Sequence, residues 1–155
     1  QRVPCVMRGP GIPPGTVCSE LTGTIDILPT IAALTGAPLP AGKKIDGLDV
    51  SSLWLGKAKE SPREEFLHYT SRGDLQGIRQ GSWKLLVKNQ RGRRNQNKNA
   101  PANASQVLLF DLSKDLGEQN NLAGQHPDIV KTLRQRMETL DKEITTNARA
   151  PWTKG

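Results

Sequence analysis

The stretch Leu75-Gln-Gly-Ile-Arg-Gln-Gly-Ser-Trp-Lys-Leu-Leu-Val-Lys88, resumed after a polar insert by Val107-Leu-Leu-Phe-Asp-Leu112, decides the fold. Ile78, Trp83, Leu85 and Val87 lie among polar partners, the pattern of half-buried strands, and Gly81-Ser82 supplies a hairpin turn. Val107 to Leu112 is a buried strand that stops at a turn rich in Asp, Lys and Gly. Downstream, His126-Pro-Asp128 opens a long helix, with His126 as cap, Pro127 at the first helical position and Asp128 in the first turn. Val130, Leu133, Met137, Leu140 and Ile144 recur at threes and fours and form one apolar stripe; Lys131, Arg134, Gln135, Glu138 and Lys142 form the opposite face. Three strands and this helix make a small α+β unit.

Upstream, Glu65-Phe-Leu-His-Tyr-Thr70 is a further strand, and Lys57 to Arg63 is a polar linker. The first part of the chain is organised differently. Val3 to Met7 is predicted as a short apolar strand, already under way where the sequence opens and without a parallel partner. Gly9 to Gly15, rich in Gly and Pro, is a rigid loop, and Val17 to Leu21 is extended. Asp26 is a good N-cap for a helix ending at Gly36, with Leu28, Ile31 and Leu34 on one face. Asp46-Gly47 is a turn, and Asp49 or Ser51 caps a short helical piece carrying Leu53, Trp54 and Leu55. The division predicted is residues 1–60, then 61–155.

At 155 residues the chain is one domain, or a small domain with a piece of another. Twenty-two Lys and Arg against 15 Asp and Glu give a net charge of +7, which favours anionic partners or solubility. No apolar run is long enough to cross a membrane. Cys5 and Cys18 flank the Gly-Pro turn, so both a disulfide and a pair of buried thiols are open readings.

Few residues carry chemical potential. His68 titrates near neutral pH but has no Ser, Cys or second His at a meaningful spacing, and a hydrogen-bonded sheet residue is the simpler reading. His126 as a base and Asp26 as an acid or ligand yield to their capping roles. Asp46 and Asp49 lack the further oxygen ligands and closing Glu of a Ca²⁺ loop. No phosphate loop, zinc spacing or nucleophile elbow is present.

The insert between the strands, Asn89 to Gln106, holds Arg91, Arg93, Arg94 and Lys98, with no acid and no aromatic side chain. A solvated loop is the simplest reading; contact with a polyanion is the functional one. Missing aromatics argue against single-stranded nucleic acid. Asn103-Ala-Ser105 fits a glycosylation acceptor, meaningful only in a secreted eukaryotic chain.

Several segments, in order, resemble the C-terminal third of a type I sulfatase of the alkaline-phosphatase-like superfamily. They are Val3-Pro-Cys-Val-Met-Arg-Gly-Pro-Gly11, Asp26-Ile-Leu-Pro-Thr-Ile-Ala-Ala-Leu-Thr-Gly36, Ile45-Asp-Gly-Leu-Asp-Val50, Gly77-Ile-Arg-Gln-Gly-Ser-Trp-Lys-Leu85, Leu109-Phe-Asp-Leu-Ser-Lys-Asp-Leu-Gly-Glu118 and His126-Pro-Asp128. Gly9 departs from the pattern, which often has Trp there. The resemblance implies the end of a large α/β domain followed by a small four-stranded antiparallel sheet packed against a C-terminal helix. It implies hydrolysis of sulfate esters by a formylglycine, made from Cys or Ser in a C/S-x-P-x-R motif, beside a divalent cation, usually Ca²⁺.

Neither Cys5 nor Cys18 stands in that motif, and the chain has no Asp-Asp or Asp-Asn pair of the kind that holds the ion. No catalytic or metal residue, and no cofactor, is therefore assigned to these residues, and the chain alone is expected to be inactive. The resemblance implies that the family's catalytic Lys and His precede this segment, that the N-terminal remainder of the domain is the partner, and that the enzyme acts in a periplasm or outside the cell. Arg72, in the loop Thr70 to Asp74, and Arg91, Arg93 and Arg94 of the insert are expected at the cleft rim, facing an anionic sulfated sugar. Self-association through apolar surface or a sheet edge is a further expectation. The rival readings are a polyanion-binding module acting through residues 89–106, and a purely structural domain.

Overall fold

The structure, a computed structural model, describes residues 3–42, 44–88 and 106–148. It divides into two compact units, Gln1–Glu64 and Glu65–Gly155.

In the first unit, residues 3–7 form no regular strand. A strand is held by ladder bonds to a neighbour, and among the described residues no neighbour pairs with this segment. Cys5 and Cys18 are free thiols and both exposed, so neither the disulfide nor the buried pair is formed. A 3₁₀ turn, Thr24–Asp26, leads into helix α1, Ile27–Thr35, which closes on Gly36 at φ 74°. That is the left-handed position expected of glycine past a helix end. Leu28, Ile31 and Leu34, the predicted apolar face, are all exposed. A one-turn helix, α2, spans Ser51–Trp54, and Asp49 Oδ1 accepts the amide of Ser51 at 2.8 Å.

Two sequence expectations change here. Asp26 sits at the N-cap position of α1 but makes no capping bond to it. Its carboxylate is fully buried and accepts from the amides of Gly23 and Leu48, each at 2.8 Å, and from the Arg63 guanidinium. Gly47, expected in a turn, instead marks a close backbone crossing: a Cβ there would lie 2.0 Å from the carbonyl oxygen of Ile25.

The second unit is a four-stranded antiparallel sheet, β1 Glu65–Tyr69, β2 Leu75–Gln80, β3 Trp83–Lys88 and β4 Gln106–Asp111, in the order β1-β2-β3-β4. Helix α3, Pro127–Thr146, lies on one face. Ile78, Leu85 and Leu109 stand side by side across three strands and are fully buried. Leu133 and Met137 of the α3 stripe close over them. Burial of such side chains contributes roughly 1.5–3 kcal/mol each. His126 precedes α3 but makes no side-chain cap; its ring meets the Trp83 ring edge-on at 5.3 Å. The outer edge of β4 is covered: Asn121 Oδ1 accepts from Leu109 N, and Leu122 N donates to Leu109 O. Such coverage removes part of an edge that would otherwise template pairing with another chain.

Candidate functional site

In an up-and-down sheet, the β1–β2 and β3–β4 connections leave from the same end. Arg72 stands in the first connection and is exposed. Its loop is shaped by Thr70, whose Oγ1 accepts the amides of Arg72 and Asp74, at 3.2 and 3.1 Å, while Gly73 takes φ 84°. Arg91, Arg93 and Arg94 lie outside the described residues. The strand ends that carry their segment, Lys88 and Gln106, are paired in register at that same end. β1 and β3 are separated by one strand, so the two roots lie about 10 Å apart. The topology thus places Arg72 and the attachment points of the basic insert on one rim of the sheet.

The face of the sheet away from α3 carries a mixed row of aromatic and charged residues. Phe66, Arg79, Lys84 and Phe110 are register partners across the four strands. Lys84 is buried and donates to Glu118 Oε1 at 2.5 Å. His68, two residues from Phe66 on β1, packs its ring 5.6 Å from the Phe66 ring. Its Nε2 is buried without a hydrogen-bond partner. Burial first, and then the Lys84 ammonium, push its pKa down to about 4, so His68 is neutral at pH 7. It is not the hydrogen-bonded sheet residue that the sequence suggested. The nearby acid, Glu118, is paired with Lys84, and among the described residues none hydrogen-bonds to His68 Nε2, so no acid–base pair is formed.

Among the described residues no group of three or more His, Cys, Asp or Glu side chains is arranged to hold a metal ion. Asp46 is linked instead through its carbonyl to Arg63, at 3.0 Å, and Asp49 is spent on Ser51. Sequence reasoning placed Arg63 in a polar linker and missed its ion pair. Nothing local signals that pair, because the partner is 37 positions away.

Residues 61–151 match the family model described as the C-terminal region of aryl-sulfatase. The chain belongs to the aryl-sulfatase family. Relatives of this sulfatase segment include human Arylsulfatase A, 40% identical over 151 residues, covering 86% of this chain and 29% of that protein. Mouse Steryl-sulfatase is 34% identical and covers 90% of this chain and 25% of its own length. A solved Bacteroides thetaiotaomicron structure, described in connection with the metabolism of multiple glycosaminoglycans, superposes with a TM-score of 0.57 at 31% identity, covering 76% of this chain and 24% of that one. The sulfatase segment therefore spans less than a third of the length of these relatives. The antiparallel sheet with its C-terminal helix is the sulfatase C-terminal fold that the sequence motifs implied.

Proposed function

We propose that this chain is the C-terminal part of an enzyme that hydrolyses sulfate esters of a carbohydrate, and that its role is to complete the fold and supply part of the substrate rim. The observation that carries this reading is the shared sheet end from which Arg72 and the basic insert emerge in a sulfatase family member. Guanidinium groups match the oxygens of a sulfate as two parallel hydrogen bonds, which suits Arg72, Arg91, Arg93 and Arg94 to an anionic sugar.

The divalent cation and formylglycine that the family implies do not fit the residues present. The described part holds no ligand cluster, and neither cysteine stands in the required motif. No chemical step is assigned to this chain. In this reading the nucleophile and the ion belong to the N-terminal remainder of the domain, and the 155 residues alone release no sulfate. By family resemblance alone, the reading also puts the enzyme in a periplasm or outside the cell.

The test is an assay of sulfate release from aryl and sugar sulfates by the longest natural polypeptide containing this chain. Hydrolysis is expected there and not with the 155 residues alone. Changing Arg72, Arg91, Arg93 and Arg94 together to Gln is expected to alter the ranking of kcat/KM among sulfated sugars. An unchanged ranking would remove the rim role, and a longer polypeptide without sulfate-ester hydrolysis would remove the enzyme reading.

A further inference from the structure

A groove in the second unit carries cations that nothing above uses. It opens between the start of β4 and the first turns of α3, has a volume of about 540 Å³, and is floored by Val107, Ala123, Pro127 and Val130. Lys131 and Arg134 line it. Three residues apart on a helix, they stand on neighbouring turns with Cβ atoms about 5–6 Å from each other.

Arg134 is anomalous. Among the described residues, the other basic side chains that are at least partly buried have partners: Arg63 with Asp26, Lys84 with Glu118, Arg136 with Glu65, and Arg79 with the carbonyl of Gly81. Arg134 is partly buried and, among the described residues, bonds to no carboxylate or carbonyl. Asp128 and Glu138 flank the two cations along α3 at pairing distance in sequence, yet neither closes an ion pair with them. None of its guanidinium nitrogens is buried, so the group is open to charge-assisted hydrogen bonds from an anion.

We propose that this groove is a binding site for a sulfated glycan chain, with Arg134 gripping a sulfate, Lys131 adding a second positive charge, and the aliphatic floor packing against the C–H face of a sugar ring. An open groove suits an extended chain running across it. The floor has no aromatic ring on which a base could stack, which disfavours nucleic acid. Arg72 does not line the groove. The anion site stands on the geometry alone; the choice of a sulfated glycan rests on the sulfatase reading.

The experiment is calorimetric titration of the 155-residue chain with three probes: a sulfated glycosaminoglycan hexasaccharide, a non-sulfated hyaluronan hexasaccharide, and an oligothymidylate. The insert is intact in every variant, so its contribution cancels. Arg134→Gln with Lys131→Gln is expected to weaken the sulfated probe by about tenfold or more, the scale of a lost charge-assisted pair. Arg134→Lys keeps the charge and the fold but loses the two-pronged geometry, and is expected to weaken it by about threefold. Amide NMR shifts at Val107, Ala123 and Val130 are expected to move with the sulfated probe.

Affinity within about twofold of the parent in both variants, with no shift at those amides, overturns the site. Equal binding of hyaluronan or oligothymidylate through the same residues overturns the sulfated-glycan assignment. A failed sulfate-release assay alongside intact binding would strike the enzyme reading and leave the groove standing.

Discussion

Arg63 and Asp26 close a buried ion pair across 37 residues and hold the first unit together. Their side chains are 9% and 1% exposed. Arg63 Nη2 also donates to the carbonyl of Asp46 at 3.0 Å, while Asp26 Oδ1 accepts from Leu48 N at 2.8 Å. The pair thus ties the entry of α1, the 46–48 segment and the end of the unit to one point. Thr30 adds a parallel link, accepting Val50 N at 3.0 Å and donating to Asp26 O at 2.6 Å.

Removing one partner strands a charge in a buried place, which typically costs about 3–5 kcal/mol. Arg63→Met is therefore expected to lower the stability of the first unit by about that amount, and Arg63→Lys by less. Burial alone would raise the Asp26 carboxyl, but the Arg63 guanidinium and the amides of Leu48 and Gly23 outweigh it and hold the pKa below its ordinary value. The ion pair's contribution is complete above that ordinary value and is lost as pH falls through the depressed one. Urea unfolding of Arg63→Met with a midpoint equal to the parent's would refute the latch.

His68 gives a separate acid response at higher pH. Its pKa falls from 6.5 to about 4 in the fold, so the unfolded chain takes up a proton first. The stability that depends on neutral His68 is fully present above pH 6.5 and is lost progressively down to about pH 4. The charges facing it are Lys84 and Arg79, which oppose protonation, and Glu118, which favours it. Phe at position 68 would remove the titration and keep a ring beside Phe66. We expect His68→Phe to flatten the thermal stability of the second unit between pH 6.5 and 4, measured by near-UV circular dichroism. A slope identical to the parent's in that window would show that His68 is not its source.

Gly77 is needed for strand spacing. A Cβ at this position would sit 2.2 Å from the carbonyl oxygen of Leu85 on the neighbouring strand. Gly77 pairs with Leu86 on β3 and with His68 on β1, so neither side can give way without opening the ladder. Overpacking of this kind costs about 1–3 kcal/mol or more. Gly77→Ala is expected to reduce stability by at least the lower figure, whereas Gly81→Ser, in the exposed turn with open space around it, is expected to cost less because its strain is confined to φ 56°. Equal effects of the two in chemical denaturation would contradict this assignment.

How much of this was legible in the sequence follows a physical division. The strands from Glu65 to Asp111 and helix α3 announce themselves through local periodicity, and Ile78, Leu85, Leu109, Leu133 and Met137 end up as the core that those periods imply. Gly36 was equally readable, because a left-handed helix end is a local requirement. What failed depended on distant partners. Val3 to Met7 has strand composition but pairs with no strand among the described residues. Asp26 has a cap's identity, yet Arg63 and Leu48, remote in sequence, draw its carboxylate inward. Arg134 belongs to a helix face that looks solvated, and only the approach of Val107 and Ala123 turns that face into a groove wall. Arg72 sits in a turn fixed by Thr70, which its local Thr-Ser-Arg-Gly-Asp sequence suits.

The last prediction concerns the outer strand β1, which is fastened to α3 at both ends. Arg136 donates to Glu65 in a two-pronged pair, Nε to Oε1 at 2.8 Å and Nη2 to Oε2 at 2.7 Å. Gln80 Nε2 adds a third bond to Glu65 at 2.8 Å, and at the far end Tyr69 Oη donates to Asp141 at 2.8 Å. The Arg136 side chain is 39% exposed, so water screens part of the attraction. A double-mutant cycle with Arg136→Ala and Glu65→Ala is expected to give a coupling of about 1 kcal/mol, the value of a partly exposed but bidentate pair. The readout that separates a clamp from a general loss of stability is hydrogen exchange. Arg136→Ala is expected to speed exchange of the β1 and neighbouring β2 amides and leave Leu85 and Leu109 at the parent's rate relative to global unfolding. A coupling near zero, or uniform acceleration across all four strands, would show that the Glu65–Arg136 pair does not clamp β1.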